Sequence, residues 1–427
     1  MKIHKHTDSD FDSIIFALVN RADVDFMNHD ETVRNILQDV RQNGDSALLD
    51  YTHRFDSHEL SLEDICVTPE EFAEAYSRVK PEQVDALKLA AENVRVFHQR
   101  QVQESWQYRQ DDILLGQMIR PLEIAGIYVP GGKASYPSSV LMNAIPAKVA
   151  GVERVVMCSP APGGEFSPHV LVAADLAGVT EIFKVGGAQA VAAMAFGTGT
   201  IPRVDKIVGP GNIYVALAKR MVFGAVDIDM IAGPSEILIV ADETARADYV
   251  AADLLSQAEH DEEAVTILVT PSESLAQAVR DELGKQKKQR NRKSIIESSL
   301  NRQCRLLVVA SLADGMDLAN RIASEHLELA VENPESWAKK VKNAGAIFLG
   351  HFTPEAMGDY LAGPNHVLPT SGTARFSSPL GVYDFIKRTS LIGYAQTALK
   401  KNAGPVTILA EMEDLDAHAE AVKIRLK

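Results

Sequence analysis

The middle of the chain repeats one short pattern, and this repetition constrains the fold more than any other feature. In each repeat an apolar run meets a turn rich in glycine or proline, and a helical stretch follows. Strands that alternate with helices in this way are typical of βα units, which assemble into a buried parallel sheet. The predicted strands cover residues 126–129, 154–158, 181–185 and 206–208.

A second α/β region follows the first. Residues 237–240 form an apolar run with the length of a buried strand, and a predicted helix then continues to Ala258. Further strands are predicted at 264–269 and 305–309, and a further helix at 315–330. We therefore predict an α/β fold with two Rossmann-like parallel-sheet domains and small helical segments at the N and C termini.

The predicted domain boundaries follow from changes in this pattern. Up to about residue 110 the chain is charged and shows helical spacing, and the βα pattern begins after Arg120. The last segment is short and charged, with little apolar sequence of its own. The predicted parts are an N-terminal helical segment (1–28), an α/β domain (29–127 and 236–380), an inserted Rossmann-like domain (128–235) and a C-terminal segment (381–427).

Charge and composition exclude some classes of partner. The chain has 427 residues, of which 46% are hydrophobic and 24% charged, as in an ordinary globular protein with two or three domains. Its net charge of −15 argues against a nucleic acid or an anionic membrane as partner. A basic run at 285–293 has no interleaved aromatic residues, so we interpret it as a solvated connector rather than a binding patch.

Cysteine usage and the N terminus indicate a cytoplasmic protein. The three cysteines are scattered and form no CxxC pair, so neither a disulfide framework nor a cysteine zinc site is predicted. The N terminus carries acidic residues where a signal peptide has none. No apolar run approaches the roughly 18 residues of a membrane span, so we expect no membrane partner.

Gln257 and His260 are candidate ligands of a cation. At 100° per residue they fall on or beside the apolar stripe that Val250 and Leu254 define on the predicted helix. Side chains three positions apart meet on one helix face, and an amide oxygen and an imidazole can then share one ion. A core histidine beside a capping amide explains the same spacing, so both interpretations stay open here.

Glu325 and His326 are candidate acid–base residues. A carboxylate beside an imidazole that titrates near neutrality suits proton transfer. His326 also lies four residues after Ile322, on the apolar side of the predicted 315–330 helix, which by itself is more typical of a core histidine. The glycine-rich turns are similarly open. They allow close approach of a phosphate, but no GxGxxG fingerprint is present and plain connections explain them too.

Several blocks of the sequence together resemble the histidinol dehydrogenase family, from about residue 30 to residue 425. These blocks are YTxRFD (51–56), YVPGG (128–132), VGGAQAVAA (185–193), VGPGN (208–212), IDMIAGPSE (228–236), SQAEH (256–260), EHLEL (325–329), NHVLPT (365–370) and ARFSSPLGVYDFIKR (374–388). The resemblance implies a zinc-dependent oxidation of L-histidinol to L-histidine through the aldehyde, in two steps that each use one NAD.

The resemblance also implies roles for individual residues. The implied catalytic residues are Glu325 and His326. The implied zinc ligands are Gln257, His260, Asp359 and His418. The implied NAD contacts are Tyr128, Gln189 and Asn212. The implied substrate contacts are Ser235, Gln257, His260, His326, Asp359, His366, Glu413 and His418.

The family is dimeric, and its C-terminal segment reaches the partner subunit. We therefore expect a homodimer with shared active sites, in which His418 and Glu413 act on the partner's side. The sequence departs from the family pattern at Asp414, where a glycine is expected.

Two other functions are compatible with the same machinery. A paralogous zinc and NAD dehydrogenase would oxidise another small alcohol, but His366 and Glu413 suit the two faces of an imidazole. A zinc hydrolase could use the same ligands with Glu325 activating water. In that case the glycine-rich turns and the residues at 128, 189 and 212 would have no task.

Overall fold

The computed structural model describes residues 1–21, 29–56, 59–131 and 135–427. Its strands are β1 (Ile3–Lys5), β2 (Trp106–Gln110), β3 (Ile113–Pro121), β4 (Ile124–Tyr128), β5 (Arg154–Cys158), β6 (Glu181–Phe183), β7 (Lys206–Val208), β8 (Asp227–Ile228), β9 (Glu236–Ala241), β10 (Val265–Thr270), β11 (Cys304–Val308), β12 (His326–Ala330), β13 (Ala346–Leu349) and β14 (Ile386–Tyr394).

The helices connect these strands and cover the sheets. They are α1 (Phe11–Val19), α2 (Asp30–Asn43), α3 (Asp45–Asp56), α4 (Pro69–Arg78), α5 (Pro81–Gln99), α6 (Pro137–Ala150), α7 (Pro168–Ala177), α8 (Gly187–Phe196), α9 (Ile213–Val222), α10 (Ala247–Ala258), α11 (Glu273–Gln286), α12 (Lys293–Arg302), α13 (Leu312–Ile322), α14 (Pro334–Ala338), α15 (Glu355–Tyr360), α16 (Gln396–Met412) and α17 (Asp416–Lys423). No helix in the described ranges has the length and apolarity needed to cross a bilayer.

Two parallel sheets share one strand order. The five-stranded sheet runs β6-β5-β4-β7-β8, and the six-stranded sheet runs β1-β11-β10-β9-β12-β13. Without β1, both follow the order third, second, first, fourth, fifth, which is the Rossmann arrangement. The predicted fold class of two Rossmann-like sheets is therefore confirmed.

The N-terminal segment differs from the prediction of a purely helical segment. Residues 3–5 form strand β1, which pairs in parallel with β11 at the edge of the six-stranded sheet. Helix α1 then packs on the same sheet through Ile15 and Leu18. The short strand escapes sequence analysis because three residues are too few to show a periodic pattern. Residues 22–28 of the predicted segment lie outside the described ranges.

Helices cover both faces of each sheet and define four apolar cores. On the five-stranded sheet, α5, α6 and α7 pack on one face and α2, α3, α8 and α9 on the other. On the six-stranded sheet, α10, α11 and α12 lie opposite α1 and α13. The helices of residues 29–99 thus pack on the five-stranded sheet, although the predicted division groups residues 29–127 with residues 236–380. The division into domains stays a prediction.

A third sheet, of antiparallel strands, was not predicted. Its order is β14-β3-β2, with β14 paired to β3 along its whole length. Helices α16 and α17 follow β14, and their chief contacts are with each other. Within the described residues, the four apolar cores contain no residue that follows Phe385 in the sequence. The helical part of the C-terminal segment, α16 and α17, therefore projects beyond these cores.

The predicted helix at 315–330 is wrong in its second half. Helix α13 ends at Ile322 because Ala323 adopts a left-handed conformation (φ 52°), and His326 begins strand β12. This strand lies between β9 and β13 and is completely buried. Leucines at 327 and 329 alternate with polar residues, a period of two that favours a strand over a helix.

Asp414 occupies a position that favours glycine. It has a φ of 56° and follows the C-cap residue of α16. The amide of Asp414 donates to the oxygen of Glu411 (3.1 Å), and the amide of Leu415 donates to the oxygen of Ala410 (2.9 Å). This pair of bonds is a Schellman motif, whose left-handed residue is most often glycine.

We expect Asp414→Gly to stabilise the protein. A glycine removes the left-handed strain of an exposed side chain but adds backbone entropy to the unfolded state, for a net gain of about 0.5–1 kcal/mol. Urea unfolding of wild type and variant measures the difference. Asp414→Ala is the matched control and should be less stable than wild type. Equal stability of all three would contradict the assignment.

Candidate active site

A large cavity separates opposite edges of the two parallel sheets. It has a volume of about 1750 Å³. One wall is the carboxyl edge of the five-stranded sheet, with the turn at 209–212 after β7 and the start of α6 at 135–139. The other wall is the amino edge of the six-stranded sheet, with Glu236 at the start of β9 and His326 at the start of β12. Most of the predicted site residues lie on these two walls.

Glu325 and His326 are both held by the main chain of Glu236. The amide of Glu236 donates to Glu325 Oε2 (2.8 Å), and His326 Nδ1 lies 2.9 Å from the oxygen of Glu236. Since a carbonyl oxygen only accepts, Nδ1 carries the proton and Nε2 keeps its lone pair. Among the described residues Nε2 has no hydrogen-bond partner, although it is buried. The histidine is thus oriented with a free basic nitrogen.

Burial shifts the pKa values of this pair in opposite directions. Loss of hydration lowers the pKa of His326, against the smaller effect of the Asp359 carboxylate, so the imidazole is neutral near pH 7. Loss of hydration also raises the pKa of Glu325 well above its ordinary value, and the nearby Glu236 charge adds to this. A neutral imidazole and a carboxylate of raised pKa are both suited to accept protons.

A cluster of potential metal ligands lies beside His326. Ligand atoms of His260, Glu355 and Asp359 all lie within 4.8 Å of one another. Asp359 Oδ1 is 3.8 Å from His326 Nε2, and Glu355 Oε1 is 3.6 Å from His326 Nδ1. Asp359 was predicted in a loop, but it lies in the short helix α15, one turn after Glu355. That spacing places both carboxylates on one helix face.

Gln257 joins this cluster from the last turn of α10. Its side chain is completely buried. Two acceptor oxygens lie beside one end of its amide, so the nitrogen is assigned there, donating to Glu355 Oε1 (3.0 Å) and the main-chain oxygen of Glu236 (3.2 Å). His260 lies in the turn just after α10 rather than on the helix, with its amide bonded to the oxygen of Gln257 (3.2 Å).

Ser235 and His366 also line the cavity. Ser235 immediately precedes β9, and its main-chain oxygen accepts a hydrogen bond from the amide of Val265 (2.9 Å). His366 Nδ1 lies 2.9 Å from the oxygen of Asp359, and its Nε2 lies 3.3 Å from Ser139 Oγ. Burial lowers the pKa of His366, so this ring is neutral as well.

The three predicted NAD contacts gather near one wall but differ in accessibility. Asn212 lines the cavity and caps α9, since its Oδ1 accepts from the amides of Tyr214 and Val215 (both 3.1 Å). Tyr128 and Gln189 are buried behind that wall. The Tyr128 hydroxyl accepts from the amide of Gly187 (3.0 Å). Burial raises the pKa of Tyr128 to about 12. Gln189 Oε1 is buried and has no partner in the described parts of the chain.

A buried ion pair shapes the glycine turn on this wall. Lys219 Nζ donates to the oxygen of Gly209 (2.8 Å) and pairs with Asp229, whose Oδ2 accepts from the amide of Gly209 (2.8 Å). Gly209 has a φ of 110°, and a Cβ there would lie 2.1 Å from the oxygen of Tyr128. Only glycine fits this turn. Gly132, the last residue of the predicted YVPGG turn, lies outside the described ranges.

The cavity of a single chain does not include Glu413 or His418. His418 is exposed on α17, and Glu413 is exposed at the end of α16. Both belong to the projecting C-terminal segment. Sequence reasoning places them at the site only through a partner subunit, so the single chain leaves that prediction open.

Sequence reasoning missed several residues of the site. Glu355, Glu236 and Arg21 all lie within it, the last two in a bidentate ion pair. For Glu355 a signal was available, since it precedes Asp359 by four positions. Glu236 is a charged residue at the start of an otherwise apolar strand, which is itself unusual. Arg21 had no signal, because its partner is 215 positions away.

The fold and the site define an α/β protein of two Rossmann-like units, with buried proton acceptors and a cluster of nitrogen and oxygen ligands between them. The family model for histidinol dehydrogenase matches residues 19–426. The chain belongs to the histidinol dehydrogenase family.

Named relatives and a solved structure agree over the whole length. The histidinol dehydrogenase of Geobacter sulfurreducens is 55% identical over 422 residues, which is 98% of each chain. That of Caldanaerobacter subterraneus subsp. tengcongensis is 55% identical over 412 residues, 96% of each chain. The crystal structure of histidinol dehydrogenase from Elizabethkingia anophelis is similar with a TM-score of 0.92 at 38% identity, covering 100% of this chain and 98% of that one.

We expect the buried charge of Glu325 to destabilise the metal-free protein as the pH rises. Burial raises the pKa of Glu325 in the folded protein above its value of about 4.3 in the unfolded chain. The contribution of this residue to the free energy of unfolding is therefore fully present below the unfolded pKa and is lost as the pH rises through the folded pKa. The free energy of unfolding of Glu325→Gln, relative to that of wild type, should therefore increase with pH, by about 1.4 kcal/mol per unit of difference between the folded and unfolded pKa of Glu325. Urea unfolding in chelator from pH 5 to pH 9 measures this. Glu59→Gln, on the exposed surface, is the control, and a pH-independent gain would contradict the mechanism.

Proposed function

We propose that this protein oxidises L-histidinol to L-histidine through the aldehyde, in two NAD-dependent steps at a zinc site. One observation carries this proposal. His326 Nε2, without a hydrogen-bond partner in the described part of the chain, and the raised-pKa carboxylate of Glu325 share a cavity with a cluster of cation ligands, opposite a glycine turn at a helix N terminus. Membership of the histidinol dehydrogenase family agrees with this chemistry.

The proposed zinc ligands are Gln257, His260 and Asp359 of one chain and His418 of the partner subunit. The fit rests on the donor set, because nitrogen and oxygen ligands without thiolate suit zinc with an open position for substrate. It also rests on His326 Nε2 and Glu355 Oε2, which are buried beside these ligands without hydrogen-bond partners among the described residues. Zinc bound there would act as a Lewis acid that lowers the pKa of the substrate hydroxyl.

The chain's own residues carry the proton transfers. His326 Nε2 accepts the hydroxyl proton of the alcohol while a hydride leaves the substrate carbon that bears this hydroxyl. The aldehyde must then add water, and Glu325 accepts a proton from that water, since a raised pKa makes it a stronger base than an ordinary carboxylate. Loss of a second hydride gives the carboxylic acid. His366 and the partner's Glu413 are proposed to bind the two faces of the substrate imidazole.

NAD would be held at the carboxyl edge of the five-stranded sheet, where it would supply the hydride acceptor for both oxidations. The cavity wall there includes Asn212 and the turn at Gly209, beside the N terminus of α9. The positive end of a helix dipole and close approach of backbone both favour a phosphate. Gln189 Oε1, which has no partner among the described residues, and the Tyr128 hydroxyl are proposed as further contacts behind this wall.

The C-terminal segment is proposed to dock on a second copy of the chain. Apolar side chains on α16 are exposed, among them Ile408 (58%), Leu409 (60%) and Met412 (75%). Exposed apolar residues grouped on one segment mark an interaction surface. Docking on the partner would bury them and carry His418 and Glu413 to the partner's cavity.

Formation of NADH tests the proposed function. With zinc present, histidinol should produce two NADH per molecule, whereas other small alcohols and an ester should not react comparably. Removing zinc with a chelator should abolish the reaction, and zinc should restore it. His260→Ala should lose bound zinc and remain folded, while His53→Ala, at an exposed histidine of α3 outside the cavity lining, serves as the matched control. Full activity of the metal-free protein would contradict the proposal, and hydrolysis of the ester would favour the alternative function as a zinc hydrolase.

Mixed dimers test whether the site is shared. His260→Ala and His418→Ala chains should each be inactive alone, since each lacks one zinc ligand. In a mixed dimer one site collects both lesions and the other collects neither. Random exchange of equal amounts should therefore restore roughly a quarter of wild-type activity, by two-fold symmetry. If exchange is verified by mass and activity stays at zero, the segment serves its own chain.

A further inference from the structure

We propose that Arg21 and Glu236 form a positioning pair, through which the N-terminal segment fixes the placement of Glu325 and His326. This inference rests on the proposed function of those two residues. Arg21 and Glu236 touch neither the reacting atoms nor any proposed zinc ligand through their side chains, so they are assigned as positioning residues rather than catalytic ones.

The main chain of Glu236 is the shared support of both side chains. Its amide donates to Glu325 Oε2 (2.8 Å), and its oxygen accepts from His326 Nδ1 (2.9 Å). A displacement of this one peptide segment therefore moves the carboxylate and the imidazole together. It also decides which imidazole nitrogen carries the proton, since the bond to the carbonyl oxygen selects the Nδ1 tautomer.

The side chain of Glu236 is held as tightly as its main chain. Only 2% of the residue is exposed, and Arg21 donates to both carboxylate oxygens, from Nε to Oε1 (2.6 Å) and from NH2 to Oε2 (2.5 Å). The amide of Ser371 donates to Oε1 as well (3.0 Å). Ser371 adopts a left-handed conformation (φ 55°) to do so, which a serine tolerates only where its surroundings impose it.

Arg21 also connects Glu236 to the other side of the Glu325–His326 pair. Its NH1 donates to the oxygen of Ile322 (2.9 Å), the last residue of α13, and to the oxygen of Leu18 (2.6 Å) in α1. The guanidinium thus bridges the start of β9 and the end of α13, between which the pair lies. A planar fork with five donors can make these bonds at once, whereas an ammonium cannot reproduce their geometry.

Misplacement of reacting groups by about 1 Å costs on the order of 100-fold in rate. We therefore expect Arg21→Ala to lower kcat by about 10- to 100-fold. The KM for NAD should be unchanged, because the turn at 209–212 lies on the opposite wall. Free guanidinium at concentrations that leave wild type folded should restore part of the activity. Methylammonium, which has the charge without the fork, should not.

Two control variants separate positioning from stability. Leu283→Ala removes a fully buried side chain from the same half of the protein, far from the cavity. It should lower the Tm comparably and leave kcat per folded chain unchanged at temperatures where the chain is folded. Arg154→Lys alters an exposed ion pair, in which Nε and NH2 of Arg154 both donate to Glu181 Oε1, and it should change neither property.

The pair itself is tested by a double-mutant cycle and by a spectrum. Glu236→Gln should lower kcat as Arg21→Ala does, and the double variant should lose little more than the larger single loss. Imidazole ¹⁵N spectra should show the Nδ1–H tautomer of His326 in wild type and a mixture of tautomers in Arg21→Ala. The His326 signal is assigned by its loss in His326→Gln.

Unchanged kcat per folded chain together with an unchanged tautomer would overturn the inference, as would fully additive losses of kcat in the double variant. If wild type forms no NADH from histidinol, the proposed function fails, and the tautomer alone decides the positioning role.

Discussion

The direction of the parallel strands is the constraint on which the rest of this structure depends. The five-stranded sheet presents its carboxyl edge to the cavity, and the six-stranded sheet presents its amino edge. Because helices run antiparallel to their strands in βα units, the first wall carries helix N termini and the second carries helix C termini. Helix N termini favour anions and C termini favour cations.

This polarity matches the proposed division of labour. The start of α9 faces the cavity where a dinucleotide phosphate is proposed, and the end of α10 carries Gln257 towards the cluster of cation ligands. Ligands in open α/β sheets usually bind at carboxyl ends, which holds here for the first sheet only. In the second sheet the site lies at the amino ends of β9 and β12, so the usual rule would have missed it.

Burial of charge is the main cost of this arrangement, and hydrogen bonding limits it. Glu236 is satisfied by Arg21 and by an amide, whereas Glu325 and Glu355 are left with raised pKa values. Buried ionised groups without full partners are destabilising. They persist where function needs them, and the orphaned Nε2 of His326 and Oε2 of Glu355, seen among the described residues, belong to the same cluster of side chains.

The sequence alone determined the two sets of βα units, the family and the residues whose types carry the chemistry. The pattern of apolar runs and glycine turns is local, so it is readable without contacts. The alternation in residues 326–330 is too short to decide between strand and helix, and the tertiary structure settles it by pairing the segment between β9 and β13. It also decided the partners of Glu236. Arg21 reaches that carboxylate across 215 positions, and no local pattern can encode a contact that chain folding alone brings about.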